Sequence, residues 1–203
     1  MKIIGITGGS GAGKTTALGV LAALGVVIVD CDALYHGLLE RDRELHDTLV
    51  AVFGDVTGQD GRLDRKKLGA VVFRDAEALE ELNAISHAAV LRELRVFLEE
   101  ARAAGETAVA IDAIALLESG VGKLCDCVVG IVAPEEVRVR RLMARDGISR
   151  QYALLRIRAQ KPERFFRKKC DYILENQNNE AAFANEAERL FRRILNMDKE
   201  DPK

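Results

Sequence analysis

The segment GGSGAGKT, residues 8–15, constrains the fold of this chain more than any other stretch. It satisfies the pattern Gly, any four residues, Gly, Lys, then Ser or Thr. An apolar run rich in isoleucine precedes it and a helix-forming run follows it, which is the strand–loop–helix context of a phosphate-binding loop. Glycines let such a loop turn tightly and aim successive backbone N–H groups at phosphate oxygens. We therefore predict a nucleoside triphosphate site in a fold of parallel strands and helices.

The chemistry of this loop assigns roles to its last residues. We expect Lys14 to reach the β- and γ-phosphates and the Thr15 hydroxyl to join the coordination shell of Mg²⁺. The predicted ATP-binding set in this segment is Gly8, Gly9, Gly11, Ala12, Gly13, Lys14, Thr15 and Thr16. The motif alone does not say which phosphoryl acceptor, if any, the chain uses.

Short β-branched runs alternate with longer helical patterns along much of the chain. This order is typical of parallel strands joined by helical crossovers. The predicted strands are residues 2–7, 26–29, 108–111, 127–132 and 172–174, and the predicted helices are 14–24, 134–145, 149–160 and 180–196. We predict a three-layer α/β/α sandwich around a five-stranded parallel sheet.

Two insertions interrupt this alternation. Residues 33–104 show mostly helical patterning, which predicts a helical subdomain, and residues 140–169 are rich in arginine. We expect one domain of 203 residues, with a core of residues 1–32, 105–139 and 170–203. Residues 198–203 are predicted to form a frayed tail.

Composition narrows the classes of partner and compartment. The chain has 30 basic and 32 acidic residues, so its formal charge of −2 does not favour nucleic acid or a membrane surface as the main partner. Its four cysteines and three histidines lack the spacing of a zinc site. The apolar run before the first glycines is too short for a signal peptide or a membrane span. We expect a cytoplasmic protein, a monomer or a weak homo-oligomer, that acts on a small molecule.

Acidic residues follow two of the predicted strands. Thr7, Asp30 and Asp112 each end an apolar strand run, and the carboxyl ends of parallel strands share one edge of the sheet, where ligands bind. We therefore expect these side chains near the phosphate-binding loop. Asp112 is interpreted either as an acid that contacts Mg²⁺ through water or as an ordinary turn acid.

Asp30 and Asp32 raise a second pair of alternatives. If the chain stays extended through Cys31, the two carboxylates project to the same side. One could then orient Mg²⁺ or its waters while the other accepts a proton from an attacking hydroxyl. Alternatively, Asp32 caps a helix that begins near Ala33.

A GTPase would carry an Asn-Lys-any-Asp guanine motif, which this sequence lacks. A small-molecule kinase instead needs an acceptor-binding subdomain and a closing lid, and the two insertions offer both. A kinase of a nucleoside or another small alcohol, and an ATP-binding regulatory module without catalysis, remain as alternatives.

Several spaced segments resemble the dephospho-coenzyme A (dephospho-CoA) kinase family over nearly the whole chain. GITGGSGAGKTT is similar to the loop of that family, and VDCDALYH is similar to its Asp-x-Asp segment. GRLDRKKLGAVVF, NAISH and CDYILEN resemble further segments of the family. RLMARDGIS, followed by RIRAQ, resembles its lid.

The resemblance implies that ATP phosphorylates the ribose 3′-hydroxyl of dephospho-CoA, the last step of coenzyme A biosynthesis. It implies Asp32, Lys14 and Arg145 as catalytic residues, with Arg141 and Asn176 contacting the nucleotide. Residues 33–104 would bind the acceptor and residues 140–169 would form the lid. The implied acceptor-binding residues are Asp30, Asp32, Arg65 and His87.

Overall fold

The computed structural model describes residues 1–177 and 179–196 of the chain. Its strands are β1 (Lys2–Gly8), β2 (Val27–Asp30), β3 (Ala108–Asp112), β4 (Cys127–Val132) and β5 (Tyr172–Glu175). Within the described residues these form one sheet of five parallel strands in the order β2-β3-β1-β4-β5. The predicted five-stranded parallel sheet is therefore confirmed.

Helices occupy most of the segments between the strands. They are α1 (Lys14–Ala23), α2 (Cys31–Arg41), α3 (Arg43–Phe53), α4 (Arg65–Val72), α5 (Ala76–Ala103), α6 (Glu135–Asp146), α7 (Arg150–Arg158), α8 (Glu163–Lys169) and α9 (Glu180–Asn196), with a short 3₁₀ helix at Val121–Leu124. None of the helices in the described ranges is long and apolar enough to cross a membrane.

The chain divides into two compact units. One, the sheet unit, comprises residues 1–29 and the described residues from Arg102 onward; the other, the helical unit, is Asp30–Ala101. The proposed roles of residues 33–104 and 140–169 as acceptor subdomain and lid stay predictions. The predicted frayed tail, residues 198–203, lies outside the described residues.

The core of the sheet unit forms because the central strands are apolar on both faces. Every residue of β4 is buried, and Ile4, Ile6 and Ile131 are inaccessible to solvent. Strands of parallel sheets are covered by helices on both sides and so read as continuous apolar runs. Leu21 of α1 and Phe191 of α9 pack in the same cluster as these strands.

The helical unit has its own small apolar cluster and its own helix starts. Val56 and the α4 residues Leu68 and Val72 are buried against partly buried neighbours from α3, from Leu63 and from α5. Asp42 and Asp64 begin α3 and α4, because each side chain accepts hydrogen bonds from backbone N–H groups of the first turn. These caps explain why a segment with few strand signals folds into several short helices.

The chain is helical, not extended, immediately after β2. Helix α2 begins at Cys31, and the Asp30 carboxylate accepts hydrogen bonds from the N–H groups of Asp32 (2.8 Å) and Ala33 (3.1 Å). The projection of Asp30 and Asp32 to one side was expected only if the chain stays extended through Cys31, and that condition is not met because Cys31 begins α2. The prediction that Asp32 is the cap is wrong; the cap is Asp30.

Leu21 offers a test of the sheet-unit core. We expect Leu21→Ala to lower the free energy of unfolding by about 2–5 kcal/mol, because it deletes fully buried methyl groups. Leu155→Ala is the matched control: this leucine is 59% exposed, and its replacement should change stability by less than about 0.5 kcal/mol. Urea unfolding followed by circular dichroism measures both, and equal effects would contradict the assignment of the core.

Candidate active site

A cavity of about 780 Å³ lies between the loop at residues 9–15 and helix α6. Its charged and hydroxyl lining comes from Lys14, Thr15, Asp112, Arg141, Arg145, Arg156 and Glu180. Four of these side chains are cationic and two are anionic. The excess of cations suits a ligand that carries several negative charges.

The loop that follows β1 keeps its shape through Gly13, which precedes the first residue of α1. Gly13 has φ 113°, a conformation that side-chain-bearing residues rarely adopt. A Cβ atom there would lie 2.2 Å from Nδ2 of Asn176, so no larger residue fits. Gly13, Lys14 and Thr15 line the cavity, so the N-terminus of α1 borders it, and the first N–H groups of this helix can bind an anion there.

Lys14 and Asp112 form an ion pair at the carboxyl ends of neighbouring strands. The Nζ atom of Lys14 lies 3.1 Å from Oδ1 of Asp112, and both side chains are largely buried. They meet because β1 and β3 pair in parallel with Ile6 opposite Asp112. Thr7 ends the same strand run, and its hydroxyl donates to the carbonyl of Ile114 (3.1 Å). Thr7 and Asp112 therefore both lie at this edge of the sheet, as expected from the sequence.

Arg141, predicted to contact nucleotide, contacts the loop and Asn176. Its Nη1 atom donates to the carbonyls of Gly11 (3.2 Å) and Ala12 (3.3 Å), and its Nη2 atom donates to Oδ1 of Asn176 (2.7 Å). Burial lowers the pKa of this guanidinium. Asn176 is 2% exposed, so the structure places it against protein groups. Nucleotide binding by either residue stays a prediction.

Arg145 lies in the last turn of α6 and lines the cavity beside Arg156. Both arginines pair with Asp146: Nε of Arg145 lies 2.7 Å from Oδ1, and Nη1 of Arg156 lies 2.6 Å from Oδ2. The hydrogen bond from Arg145 is the largest cause that lowers the pKa of Asp146 to about 2. Asp146 therefore stays charged at neutral pH and holds two guanidinium groups at the cavity.

Sequence reasoning did not identify Ser10, Arg138, Arg156, Gln160 or Glu180. A run of charged residues on a helix is usually a solvated face, yet Arg138 is 9% exposed and donates to the carbonyl of Ser10 (2.9 Å). A usable signal was present: residues 138, 141 and 145 have the spacing of one face of a helix. Gln160 and Glu180 carry no comparable local signal, because only the fold brings them to the loop.

Of the predicted acceptor residues in the helical unit, Asp30 and Asp32 lie at the start of helix α2, and Arg65 contacts that helix. The Arg65 guanidinium contacts the ring of His36, which lies one turn after Asp32 on the same helix face. Ser86 donates to the Tyr35 hydroxyl (2.8 Å), and His87 follows Ser86 on α5. Arg65 is thus near the helix that carries Asp32.

Residues 2–182 match the sequence profile of the dephospho-CoA kinase family. The chain is 37% identical over 180 residues to the dephospho-CoA kinase of Carboxydothermus hydrogenoformans, covering 88% of this chain and 87% of that protein. The chain belongs to the dephospho-CoA kinase family. The dephospho-CoA kinase of Corynebacterium diphtheriae is 35% identical over 195 residues, which cover 96% of this chain and 98% of that protein.

A solved member of the dephospho-CoA kinase family supports the fold. The enzyme from Campylobacter jejuni is 26% identical and superposes with a TM-score of 0.71 over 98% of this chain and 100% of that one. This family of phosphate-loop kinases uses ATP, generally with Mg²⁺. The site fits both: a glycine-lined loop with cationic neighbours suits a triphosphate, and the oxygens of Thr15 and Asp112 are ligands that Mg²⁺ prefers.

The ion pair of Lys14 leads to a prediction about the phosphate site. We expect Lys14→Ala to lower kcat/KM for ATP by roughly 10²-fold or more, because it removes a preorganised charge from the phosphates of the transition state. Lys123→Ala, which removes an exposed lysine of the same unit, should leave kcat/KM within about twofold. Steady-state kinetics compare the two, and equal values for Lys14→Ala and wild type would remove Lys14 from the site.

Asp146 provides a prediction about pH. Since its pKa in the folded protein lies below the ordinary value, the ion pairs with Arg145 and Arg156 persist above the ordinary pKa and are lost as pH falls toward about 2. We expect the Asp146 carboxyl carbon to titrate near pH 2 by NMR. Arg145→Ala should move that midpoint upward, toward the ordinary value of 3.8. An ordinary midpoint in the wild type would show that this cluster does not form in solution.

Proposed function

We propose that this chain transfers the γ-phosphoryl group of ATP to the 3′-hydroxyl of dephospho-CoA, giving CoA and ADP. The observation that carries the proposal is the cavity, in which a glycine loop and the start of α1 stand among Lys14, Arg145 and Arg156. Phosphoryl transfer needs positioning and charge stabilisation more than covalent chemistry from the protein. Membership of the dephospho-CoA kinase family supports this acceptor.

The residues of the sheet unit would act on the phosphates. Backbone N–H groups at the start of α1 would bind them, and Lys14 would exchange its contact with Asp112 for a contact with the β- and γ-phosphates. Arg145 would stabilise charge on the transferred group. Magnesium, when bound by Thr15 and Asp112, would neutralise charge between the β- and γ-phosphates.

The residues of the helical unit would act on the acceptor. Asp30 accepts the capping hydrogen bonds of α2, which leaves the Asp32 carboxylate outside the cap. Asp32 is exposed, and we propose that it accepts the proton of the 3′-hydroxyl during transfer. Arg65 and His87 would bind other parts of dephospho-CoA, with Asp30 holding the helix start.

Product analysis tests the reaction. The purified chain is incubated with ATP, Mg²⁺ and dephospho-CoA, and mass spectrometry should find dephospho-CoA with one added phosphoryl group. Dephospho-CoA that lacks the 3′-hydroxyl is the matched control and should gain none. Transfer to adenosine or another alcohol, with none to dephospho-CoA, would show that the chain is a kinase with a different acceptor. ATP binding with no transfer to any acceptor would indicate a regulatory module.

Asp32→Asn tests the proton acceptor. We expect this variant to fold and bind ATP but to lose roughly 10²-fold or more in kcat, the usual contribution of a positioned base. Asp47→Asn, at an exposed acid on α3, is the control and should keep wild-type turnover. Near-wild-type turnover by Asp32→Asn would remove Asp32 from the mechanism.

A further inference from the structure

Ser10 of the phosphate-binding loop is held through all of its polar groups by two side chains, Arg138 of α6 and Gln160, which follows α7. Its N–H donates to Oε1 of Gln160 (2.9 Å), and its hydroxyl accepts from Nε2 of Gln160 (2.8 Å). Its carbonyl accepts from Nε of Arg138 (2.9 Å), and Nη2 of Arg138 also donates to Oε1 of Gln160 (3.0 Å). Arg138, Gln160 and Ser10 therefore form a closed hydrogen-bonded triangle.

These contacts orient the peptide groups that follow Ser10. In a planar trans peptide the carbonyl and the next N–H point in opposite directions. With the Ser10 carbonyl on Arg138, the N–H of Gly11 must point away from the Arg138 guanidinium. Arg141 fixes the next two peptide groups in the same way, because it takes the carbonyls of Gly11 and Ala12.

The burial of Arg138 shows that the contact is built into the fold. This side chain is only 9% exposed, and burial lowers its pKa, so its charge costs solvation and needs the hydrogen bonds described. Gly9 makes room for it: a Cβ atom at Gly9 would lie 2.3 Å from Nη2 and 2.8 Å from Cζ of Arg138. Gly9 has an ordinary φ, so the guanidinium is the obstacle to a side chain there.

We propose that Arg138 and Gln160 are positioning residues for phosphate binding and transfer. Neither side chain lines the cavity; both act through Ser10 by fixing the direction of the N–H groups that bind phosphate. Since a misplacement of about 1 Å costs up to 10²-fold in rate, the triangle is needed for full turnover. This inference rests on the proposed kinase activity for its turnover measurements only.

The first test compares each variant with a control of the same residue type at an exposed position. Arg138→Met and Gln160→Leu should each weaken Mg²⁺·ADP binding by calorimetry roughly tenfold, about the loss of one good hydrogen bond, and lower kcat by up to about 10²-fold. The KM for dephospho-CoA should change less than about twofold. Arg140→Met and Gln151→Leu, at exposed positions of α6 and α7, are the controls and should match wild type.

Rescue separates positioning from general stability. Gln160→Glu keeps an oxygen for the Ser10 N–H and for Arg138, so it should retain more ADP affinity than Gln160→Leu. Variants that only lower the Tm, while binding ADP and turning over like wild type well below it, would overturn the proposal. The same holds if Gln160→Glu and Gln160→Leu are equally impaired.

Gly9→Ala gives an independent test that does not remove Arg138. Its methyl group should displace the guanidinium and reproduce the loss of ADP affinity seen in Arg138→Met. Because both changes break the same contact, the double variant should be little worse than either single one. Additive losses would contradict the proposal. If wild type does not phosphorylate dephospho-CoA but these ADP results hold, the proposed acceptor fails and the positioning role stands.

Discussion

The site depends on how the carbonyls of the phosphate-binding loop are satisfied. Backbone carbonyls in a tight loop need donors, and here two arginines of α6 supply them to residues 10, 11 and 12. Each such bond turns the following N–H away from the guanidinium that makes it. The glycines permit this backbone conformation, and the hydrogen bonds from α6 stabilise it. The anion binding that we propose at the start of α1 would thus depend on the packing of the sheet unit and not on the loop sequence alone.

The same arrangement divides the arginines of α6 by position. Arg138 holds protein groups away from the cavity, and Arg141 holds protein groups while also lining it. Arg145, one turn further along, lines the cavity and pairs with Asp146. A guanidinium can support several hydrogen bonds in a fixed plane, which makes it suited to both tasks. In the proposed mechanism, one helical face therefore combines support of the loop with charge for the transferred group.

Much of this fold was predictable because its signals are local. The five strand runs, the glycine loop and the position of Asp112 near that loop follow from periodicity and from the rules of parallel sheets, but the ion pair of Asp112 with Lys14 was not predicted. The sequence did not predict where α2 starts. Either Asp30 or Asp32 could have been its N-cap, and a shift of the helix start by two residues decides which of them is. Gln160 and Ser10 lie 150 residues apart, so no local pattern could join them. Buried Arg138 was hidden in a charge run that resembles a solvated helix face.

The orientation of the loop amides can be measured directly by ¹H–¹⁵N NMR spectra recorded as Mg²⁺·ADP is added. If the N–H groups after Ser10 face the phosphates, the amides of Gly11 and Gly13 should shift strongly downfield, while the Ser10 amide, which donates to Gln160, should hardly move. A large shift at Ser10 with Gly11 and Gly13 unchanged would contradict this account of the site.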